Sequence, residues 1–266
     1  MNALESADLQ ALTSVQLQSL TTDQVAGLST TQVQTLTTSQ VASLTSTQVG
    51  SLTSDQLNAM ESADLRALTS AQMPGLTTSQ LSALATSQLE LLTTGQVRGL
   101  TTSQIASFST DQLPLLTTSQ VAALTSTQLQ ALNSDQLNAL ESADLQTLSS
   151  SQLRSLTTAQ VSTLSTTQVQ NLTTSQAAAL TSTQLRALNS DQLNAIESAD
   201  LQALTSTQLQ SLTTSQVATL SSDQLVNLTT SQMRALTSTQ LRALNSDQLN
   251  ALESADLQAL TSVQLQ

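Results

Sequence analysis

The chain lacks most of the side chains on which enzymes depend. It contains no cysteine, histidine, lysine, tryptophan or tyrosine, and its single aromatic residue is Phe108. Without a thiolate, an imidazole or an amine, the many serine and threonine hydroxyls have no neighbour that would activate them as nucleophiles. The absence of cysteine also excludes disulfides, which fits both the cytosol and secreted bacterial proteins. We therefore predict that the protein is not an enzyme and has no catalytic or cofactor-binding residue.

Charge is sparse and mostly negative. Six basic residues against eighteen acidic ones give a net charge of −12. Phosphates would be repelled, so nucleic acid and anionic membrane surfaces are disfavoured as partners. No stretch approaches the ~18 consecutive apolar residues of a membrane span, and we predict no membrane insertion. Residues 1–4 contain neither a basic region nor an apolar run, so no secretory signal is predicted.

What the chain does contain is an eight-residue repeat that never slips. A bulky apolar side chain occupies every eighth position from Leu4 to Leu260, and only Met60, Phe108 and Ile196 replace leucine. We number each octad from the residue after this position. The first position is then Thr, Ser, Asn or Glu with one exception, the second is Ser or Thr, the fourth is Gln or Asp, and the fifth is apolar. Such repetition predicts a core that extends along an axis, with each repeat contacting its neighbours.

Positions one to four of most octads form a capping box. In this motif the first hydroxyl accepts a hydrogen bond from the N–H three residues on, and the glutamine reaches back to the N–H of the first residue. Thr125 with Gln128, and Thr117 with Gln120, are typical pairs. The apolar residues at positions eight and five stand where a hydrophobic staple places its two members. Each octad is therefore predicted to start a new, very short helix.

Two other structures compete with this interpretation. In one continuous helix, an eight-residue repeat would turn the apolar face by ~80° per octad, so the face could not follow a straight partner. A β-solenoid remains the alternative, since Thr, Ser and Val tolerate strands, although the chain has only five glycines for its turns. Pro74 and Pro114, both at position six, oppose the helical interpretation because each removes an N–H. We predict an all-α repeat solenoid of very short capped helices, one per octad.

A longer period overlies the octad. The motif Glu-Ser-Ala-Asp begins at residues 5, 61, 141, 197 and 253, so its spacings are 56, 80, 56 and 56, all multiples of eight. Duplication of a seven-octad cassette is the favoured explanation, and a coil of ~3.5 octads per turn is the alternative. Residues 3–18 are identical to residues 251–266, and neither end carries an unusual polar repeat. We therefore treat residues 1–266 as one uninterrupted array, either a segment of a longer array or a subunit that associates end to end with other copies.

Three groups of polar residues are candidates for binding, and each has a structural explanation. Paired carboxylates three residues apart offer oxygen ligands that suit Ca²⁺, but they also suit helix starts, and no Asp-x-Asp-x-Asp-Gly loop is present. The carboxylate pairs are Glu141/Asp144, Glu197/Asp200 and Glu253/Asp256, near Asp135, Asp191 and Asp247. We therefore predict no metal site.

The rows of Thr and Ser suggest a glycan- or ice-binding lattice, yet capping already uses the first hydroxyl of each octad.

All six arginines occupy position six of their octads, which defines one row that we expect to face solvent. A binding stripe along this row is conceivable, but scattered charge on a solvated surface explains it sufficiently. The arginines are Arg66, Arg98, Arg154, Arg186, Arg234 and Arg242.

The Leu-Thr-x-x-Gln octads, as in residues 36–40 and 116–120, resemble octapeptide arrays of large, acidic bacterial surface and secreted proteins, including adhesin-like ones. The resemblance covers the whole chain and implies an extracellular, structural role. From it we expect a spacer, stalk or filament subunit at the cell surface, with a solenoid that binds a protein or glycan partner as the alternative. It assigns no functional residue.

Overall fold

The computed structural model describes residues 5–262 and 264, and these residues form short helices without any strand. The predicted all-α repeat solenoid is confirmed, and the β-solenoid alternative is wrong. Leu4, the first residue of the apolar register, lies outside the described residues. Thirty α-helices of four to six residues and two 3-10 turns follow one another in chain order, one per octad.

The chain divides into two compact units, residues 1–139 and 140–266. The single array over residues 1–266 stays a prediction. The α-helices of the first unit are Ser6–Gln10, Ser14–Gln18, Thr22–Ala26, Thr30–Gln34, Thr38–Ser43, Ser46–Ser51, Ser54–Ala59, Ser62–Ala67, Thr78–Ser82, Thr86–Leu89, Thr94–Gly99, Thr102–Ile105, Thr118–Ala123, Ser126–Ala131 and Ser134–Ala139. Those of the second unit are Ser142–Thr147, Ser150–Ser155, Thr158–Ser162, Thr166–Gln170, Thr174–Ala179, Ser182–Ala187, Ser190–Ala195, Ser198–Gln202, Ser206–Ser211, Thr214–Thr219, Ser222–Val226, Thr230–Ala235, Ser238–Arg242, Ser246–Ala251 and Ser254–Ala259.

Each octad consists of about one and a half helical turns followed by an extended corner. In residues 125–132, Thr125 is extended at φ −75° and ψ 159°, the helix spans Ser126–Ala131, and Leu132 is extended again at φ −70° and ψ 134°. No described residue has a positive φ. The corner therefore needs no glycine, which explains how five glycines suffice for the whole chain.

The two prolines change their octads without breaking the repeat. Pro74 and Pro114 each lie in a 3-10 turn, Met73–Gly75 and Leu113–Leu115, instead of an α-helix. Both prolines are at the first or second residue of the turn, where a missing N–H leaves no hydrogen bond unmade. The apolar positions of these octads remain buried, since Met73 and Leu113 are at most 1% exposed.

Within each unit the octads coil so that a helix packs against the one three octads further along the chain. Thr38–Ser43 packs against Ser62–Ala67 in the first unit, and Thr158–Ser162 packs against Ser182–Ala187 in the second. Side-chain hydrogen bonds, described below, reach back to the fourth octad. One turn of each coil therefore takes between three and four octads.

The core of each unit is a line of side chains from positions five and eight, as the repeat predicted. Leu129 and Leu132 are typical, with exposures of 0% and 2%. Burying one such leucine contributes ~1.5–3 kcal/mol, so repetition along the coil supplies most of the stability. Position four is also buried, which the sequence analysis did not predict: Gln96 and Gln192 are each only 1% exposed. Positions one to three and six carry the exposed side chains of most octads.

Candidate functional site: the glutamine ladder

The predicted capping boxes are present in most octads of the described chain. In residues 125–132 the N–H of Thr125 donates to Gln128 Oε1 at 2.8 Å, and the N–H of Gln128 donates to Thr125 Oγ1 at 3.2 Å. Asparagine performs the same task at Asn189, whose Oδ1 accepts from the N–H of Gln192 at 2.9 Å. Both ends of the first helical turn are thereby fixed.

The same glutamine also ties its octad to the preceding turn of the coil. Gln40 Nε2 donates to the carbonyl oxygens of Leu9 at 2.9 Å and Leu12 at 2.9 Å, which lie 31 and 28 residues earlier. In the second unit, Gln240 Nε2 contacts the carbonyls of Leu209 at 2.9 Å and Leu212 at 2.8 Å with the same separations. We call this row of position-four side chains and their carbonyl acceptors the glutamine ladder.

The glutamine ladder explains why position four is glutamine in most octads and never glutamate. A capping box accepts either residue, because both have a side-chain oxygen that reaches the first N–H. Only the amide can accept at that end and donate to buried carbonyls at the other. No octad carries glutamate at position four. The absence of glutamate was therefore a signal in the sequence that position four donates as well as accepts, because capping alone would also permit glutamate.

The ladder also bears on the long period. One turn of the coil takes between three and four octads, and a value of ~3.5 octads, or 28 residues, lies in this range. With that value, the spacing of 56 between Glu-Ser-Ala-Asp motifs would correspond to two turns. The cassette length fits the coil geometry that we considered as the alternative to plain duplication.

A second set of hydrogen bonds runs forward from position six. Gln10 Nε2 donates to the carbonyl of Thr35 at 2.7 Å, and Gln202 Nε2 donates to that of Asn227 at 2.6 Å, in both cases 25 residues further on. Arg154 makes the same contact through Nε with Ala179 at 2.9 Å. The six arginines are exposed, as predicted. The Arg154 contact shows that this surface row also links turns.

One octad departs from the pattern at a single position. Ala85 has no hydroxyl, and its N–H donates to Asn58 Oδ1 of the preceding turn at 3.0 Å instead of to its own glutamine. Gln88 Oε1 is consequently a buried oxygen without a partner, the only such side-chain atom recorded among the described residues. An unpaired buried acceptor of this kind costs ~1–3 kcal/mol.

The acidic pairs separate into an exposed glutamate and a buried aspartate. Glu141 is exposed and Asp144 is only 3% exposed. The Glu141 side chain makes no hydrogen bond to the start of its helix, whereas in the last acidic pair Asp256 accepts a hydrogen bond from the N–H of Glu253 at 3.3 Å, as the glutamine of a capping box does. Burial raises the pKa of Asp144; a hydrogen bond from the Glu141 backbone lowers it, and the Glu141 charge raises it.

The rest of the described surface was compared with the requirements of a metal site and of a membrane span. Among residues 5–262 and 264, no three or more acidic side chains converge as a metal cluster would require. Shallow open depressions of the described surface include one lined by Ser70, Arg98 and Gly99 and another lined by Arg154, Thr181 and Gln208. No helix in the described part of the chain is long and apolar enough to cross a membrane.

These observations define the class of protein: an all-α repeat solenoid of octads that are joined by buried glutamines, which suits a structural or a binding role. The model of the ALTTAQ repeat matches residues 1–38, 57–94, 90–126, 137–174, 193–230 and 228–262, most of the chain. The chain therefore belongs to the ALTTAQ repeat family. The six letters correspond to positions seven and eight of one octad and one to four of the next, which include the capping box. No curated protein matches this chain.

Proposed function

We propose that the chain is a non-catalytic structural element, a spacer, stalk or filament subunit whose length is set by its number of octads. The observation that carries this proposal is the glutamine ladder, since each rung joins an octad only to the turn before it. A unit built from such nearest-neighbour contacts can be lengthened without a change in cross-section. The exposed side chains are short hydroxyls, amides and scattered charges, which suit a solvated shaft.

We place this role at the cell surface or outside the cell. The chain has no cysteine, so its stability does not depend on the redox state of the compartment. The resemblance of its octads to those of acidic surface proteins supports the same location. Secretion can be tested by fractionating the native cells and probing the medium, the surface and the cytosol with an antibody. Finding the protein only in the cytosol would contradict this location.

End-to-end association of copies is part of the proposal. Leu249 and Leu257, both at position five, are 47% and 48% exposed, whereas Leu225 at the same position is fully buried. Covering two half-exposed leucines would contribute ~1–3 kcal/mol. A further turn of the same array is the occupant that fits, because it would bury these leucines as every earlier turn does.

The hydrogen-bonding groups of the two ends are complementary as well. Gln16 and Gln24 are exposed, and their Nε2 atoms have no carbonyl acceptor among the described residues. Near the other end, the carbonyls of Leu244 and Leu252 accept no side-chain amide in the described part of the chain. Donors of one copy therefore match acceptors of another in the same way that successive turns of the coil match.

Two measurements test the proposal. Duplicating residues 181–236, one seven-octad cassette, should lengthen the particle seen by small-angle scattering or electron microscopy and leave its cross-section unchanged. A compact particle of greater width would contradict the spacer function. For association, Leu249→Asp with Leu257→Asp should reduce the mass measured by analytical ultracentrifugation at high concentration. A wild-type chain that stays monomeric at every concentration would contradict end-to-end association and leave the spacer function intact.

A further inference from the structure

The glutamine ladder is incomplete on one side of the first unit. A complete rung includes a hydrogen bond from Nε2 to the carbonyl 28 residues earlier, as Gln96 makes to Leu68 at 2.8 Å. Gln88, one octad before Gln96, donates only to the carbonyls 31 and 30 residues earlier, at 3.1 Å and 2.9 Å. The carbonyl of Met60, which lies 28 residues before Gln88, accepts no side-chain amide in the described part of the chain.

The same bond is missing three octads after and three octads before Gln88. Gln112 donates to the carbonyls 31 and 30 residues earlier at 3.0 Å and 3.3 Å, but not to the one 28 residues earlier. The other position-four glutamines from Gln40 to Gln136 all make this bond. Position four of the earlier octad is Asp64, and a carboxylate has no N–H to donate. Helices three octads apart lie on adjacent turns, so these octads follow one another along one side of the unit, and we call them, residues 61–68, 85–92 and 109–116, the seam.

The packing of the helices identifies the same three octads independently. Within the described part of each unit, helices three octads apart pack against each other, and two pairs do so least closely. These pairs are Ser62–Ala67 with Thr86–Leu89, and Thr86–Leu89 with Leu113–Leu115. Short elements alone do not explain this, because the 3-10 turn Met73–Gly75 is equally short and packs closely against Ser46–Ser51. Loose packing and missing rungs therefore coincide along the seam.

Residues 85–92 are the weakest octad of the seam. The cap residue Ala85 has no hydroxyl, the helix is only four residues long, and Gln88 Oε1 is a buried acceptor without a partner. The start of this octad is held by exposed Asn58, whose Oδ1 accepts from the N–H of Ala85 at 3.0 Å and whose Nδ2 donates to the carbonyl of Ala83 at 2.8 Å. Water competes for exposed hydrogen bonds, so this link holds the octad less firmly than a buried rung does.

Short helices of this kind depend on the turns beside them. Isolated helices shorter than ~12–15 residues are marginal in water, and each α-helix here has only four to six residues. An octad that separates from its neighbouring turns therefore loses its helix as well. Segments with few contacts to the rest of a fold open at a lower free energy than its core. The seam is consequently where the first unit should open first.

We propose that the seam is a built-in opening line of the first unit: octad 85–92 and its seam neighbours detach and unfold locally while the rest of the chain stays folded. In the described part of the second unit no such line is present. Two of its octads that follow a full turn of the same unit lack a glutamine donor, 197–204 and 253–260, but they lie seven octads apart. Gln176 and Gln232, three octads before them, form complete rungs. The opening does not depend on the spacer function, but in a spacer it releases extra length under tension.

Hydrogen exchange of the full chain tests the opening, read at single residues by mass spectrometry with electron-transfer fragmentation. The N–H of Leu89 donates to the carbonyl of Ala85 at 3.0 Å, and the N–H of Leu185 in the second unit donates to that of Thr181 at 2.9 Å. Both leucine side chains are fully buried. The local bond and the burial are thus matched, and only the contacts between turns differ. The N–H of Leu89 should exchange about tenfold faster than that of Leu185, or more.

The variant Ala85→Thr restores the cap hydroxyl and should slow exchange at Leu89 about fivefold, the factor that one helix cap contributes, without changing the rate at Leu185. The control is Ala71→Thr, the same substitution at an exposed position three of the first unit outside the seam, which should leave the rate at Leu89 unchanged. Equal wild-type rates at Leu89 and Leu185, whether fast or slow, would overturn the proposal, and so would an unchanged rate at Leu89 in Ala85→Thr. The spacer function is tested separately, by duplicating residues 181–236.

Discussion

Replacing Gln96 by glutamate separates the two tasks of a ladder residue. Gln96 Oε1 accepts from the N–H of Thr93 at 2.7 Å, while Nε2 donates to the carbonyls of Leu65 at 2.6 Å and Leu68 at 2.8 Å. Glutamate has nearly the same shape and keeps the accepting oxygen. It loses both donated hydrogen bonds and places a carboxylate against two carbonyl oxygens.

The expected loss follows from burial and from the number of bonds removed. Gln96 is 1% exposed, so water cannot replace the missing donor. Leaving a buried acceptor unpaired costs ~1–3 kcal/mol. Two acceptors are affected, together with the burial of a charge, and we expect a loss of about 3 kcal/mol at neutral pH.

The loss should depend on pH, with a definite sign. The buried carboxyl introduced at position 96 should have its pKa raised above the ordinary glutamate value of ~4.3. The folded state then binds the proton more tightly than the unfolded state, so the destabilisation is complete above the raised pKa and decreases as the pH falls through it. Below ~pH 4 the neutral carboxyl can itself donate to one carbonyl, and most of the loss should disappear.

Urea unfolding followed by far-UV circular dichroism, at pH 7 and at pH 4, measures both effects. The matched control is Gln34→Glu, at exposed position six of the same unit, which should change the free energy of unfolding by no more than ~0.5 kcal/mol. If the two variants were equally stable at pH 7, position four would not carry the turn-to-turn contact, and the ladder would be refuted.

Three further substitutions test the core, the close approach of turns and the one missing cap. Leu132→Asp buries a charge at a 2% exposed site and should split the cooperative melting transition into segments, whereas exposed Arg186→Ser should leave the calorimetric trace unchanged; equal effects would contradict the solenoid core. Gly99→Ala drives a methyl group into a backbone carbonyl of an earlier turn and should lower Tm. Gly95→Ala in the same helix places its methyl group 3.9 Å from the nearest atom and should raise Tm slightly. A lower Tm for Gly95→Ala than for Gly99→Ala would refute the close packing of these turns. Ala85→Thr supplies the absent hydroxyl and should add about 1 kcal/mol in urea unfolding, and no gain would show that the cap is already satisfied.

The local part of the fold could be predicted from the sequence because it depends on contacts within an octad. Capping boxes such as Thr125 with Gln128 join residues three apart, and the apolar positions follow directly from the repeat. The extended corner at Leu132 follows from the helix ending one residue earlier. Pro74 and Pro114 argued against a helix, and the structure accommodates them by tightening two octads into 3-10 turns.

The contacts between turns could not be predicted in the same way. Which carbonyl faces Gln40 Nε2 depends on how many octads make one turn of the coil, and the repeat alone is equally compatible with several values. The sequence did contain one unused restriction, the absence of glutamate at position four. The burial of Asp64 and Asp200 was not predicted either, because acidic residues are ordinarily assigned to the surface.

Hydrogen exchange of the glutamine side-chain amides is the most direct test of the central claim that buried glutamines join successive turns. In a chain labelled with ¹⁵N-glutamine, position-four residues such as Gln96 and Gln192 should exchange their Nε2 protons slowly, because both are 1% exposed and hydrogen-bonded across turns. Gln34 is exposed at position six and, unlike Gln10, donates no hydrogen bond to the next turn in the described part of the chain, so it should exchange at the rate of a free amide. Two well-separated populations would support the ladder, and a single fast population would contradict it.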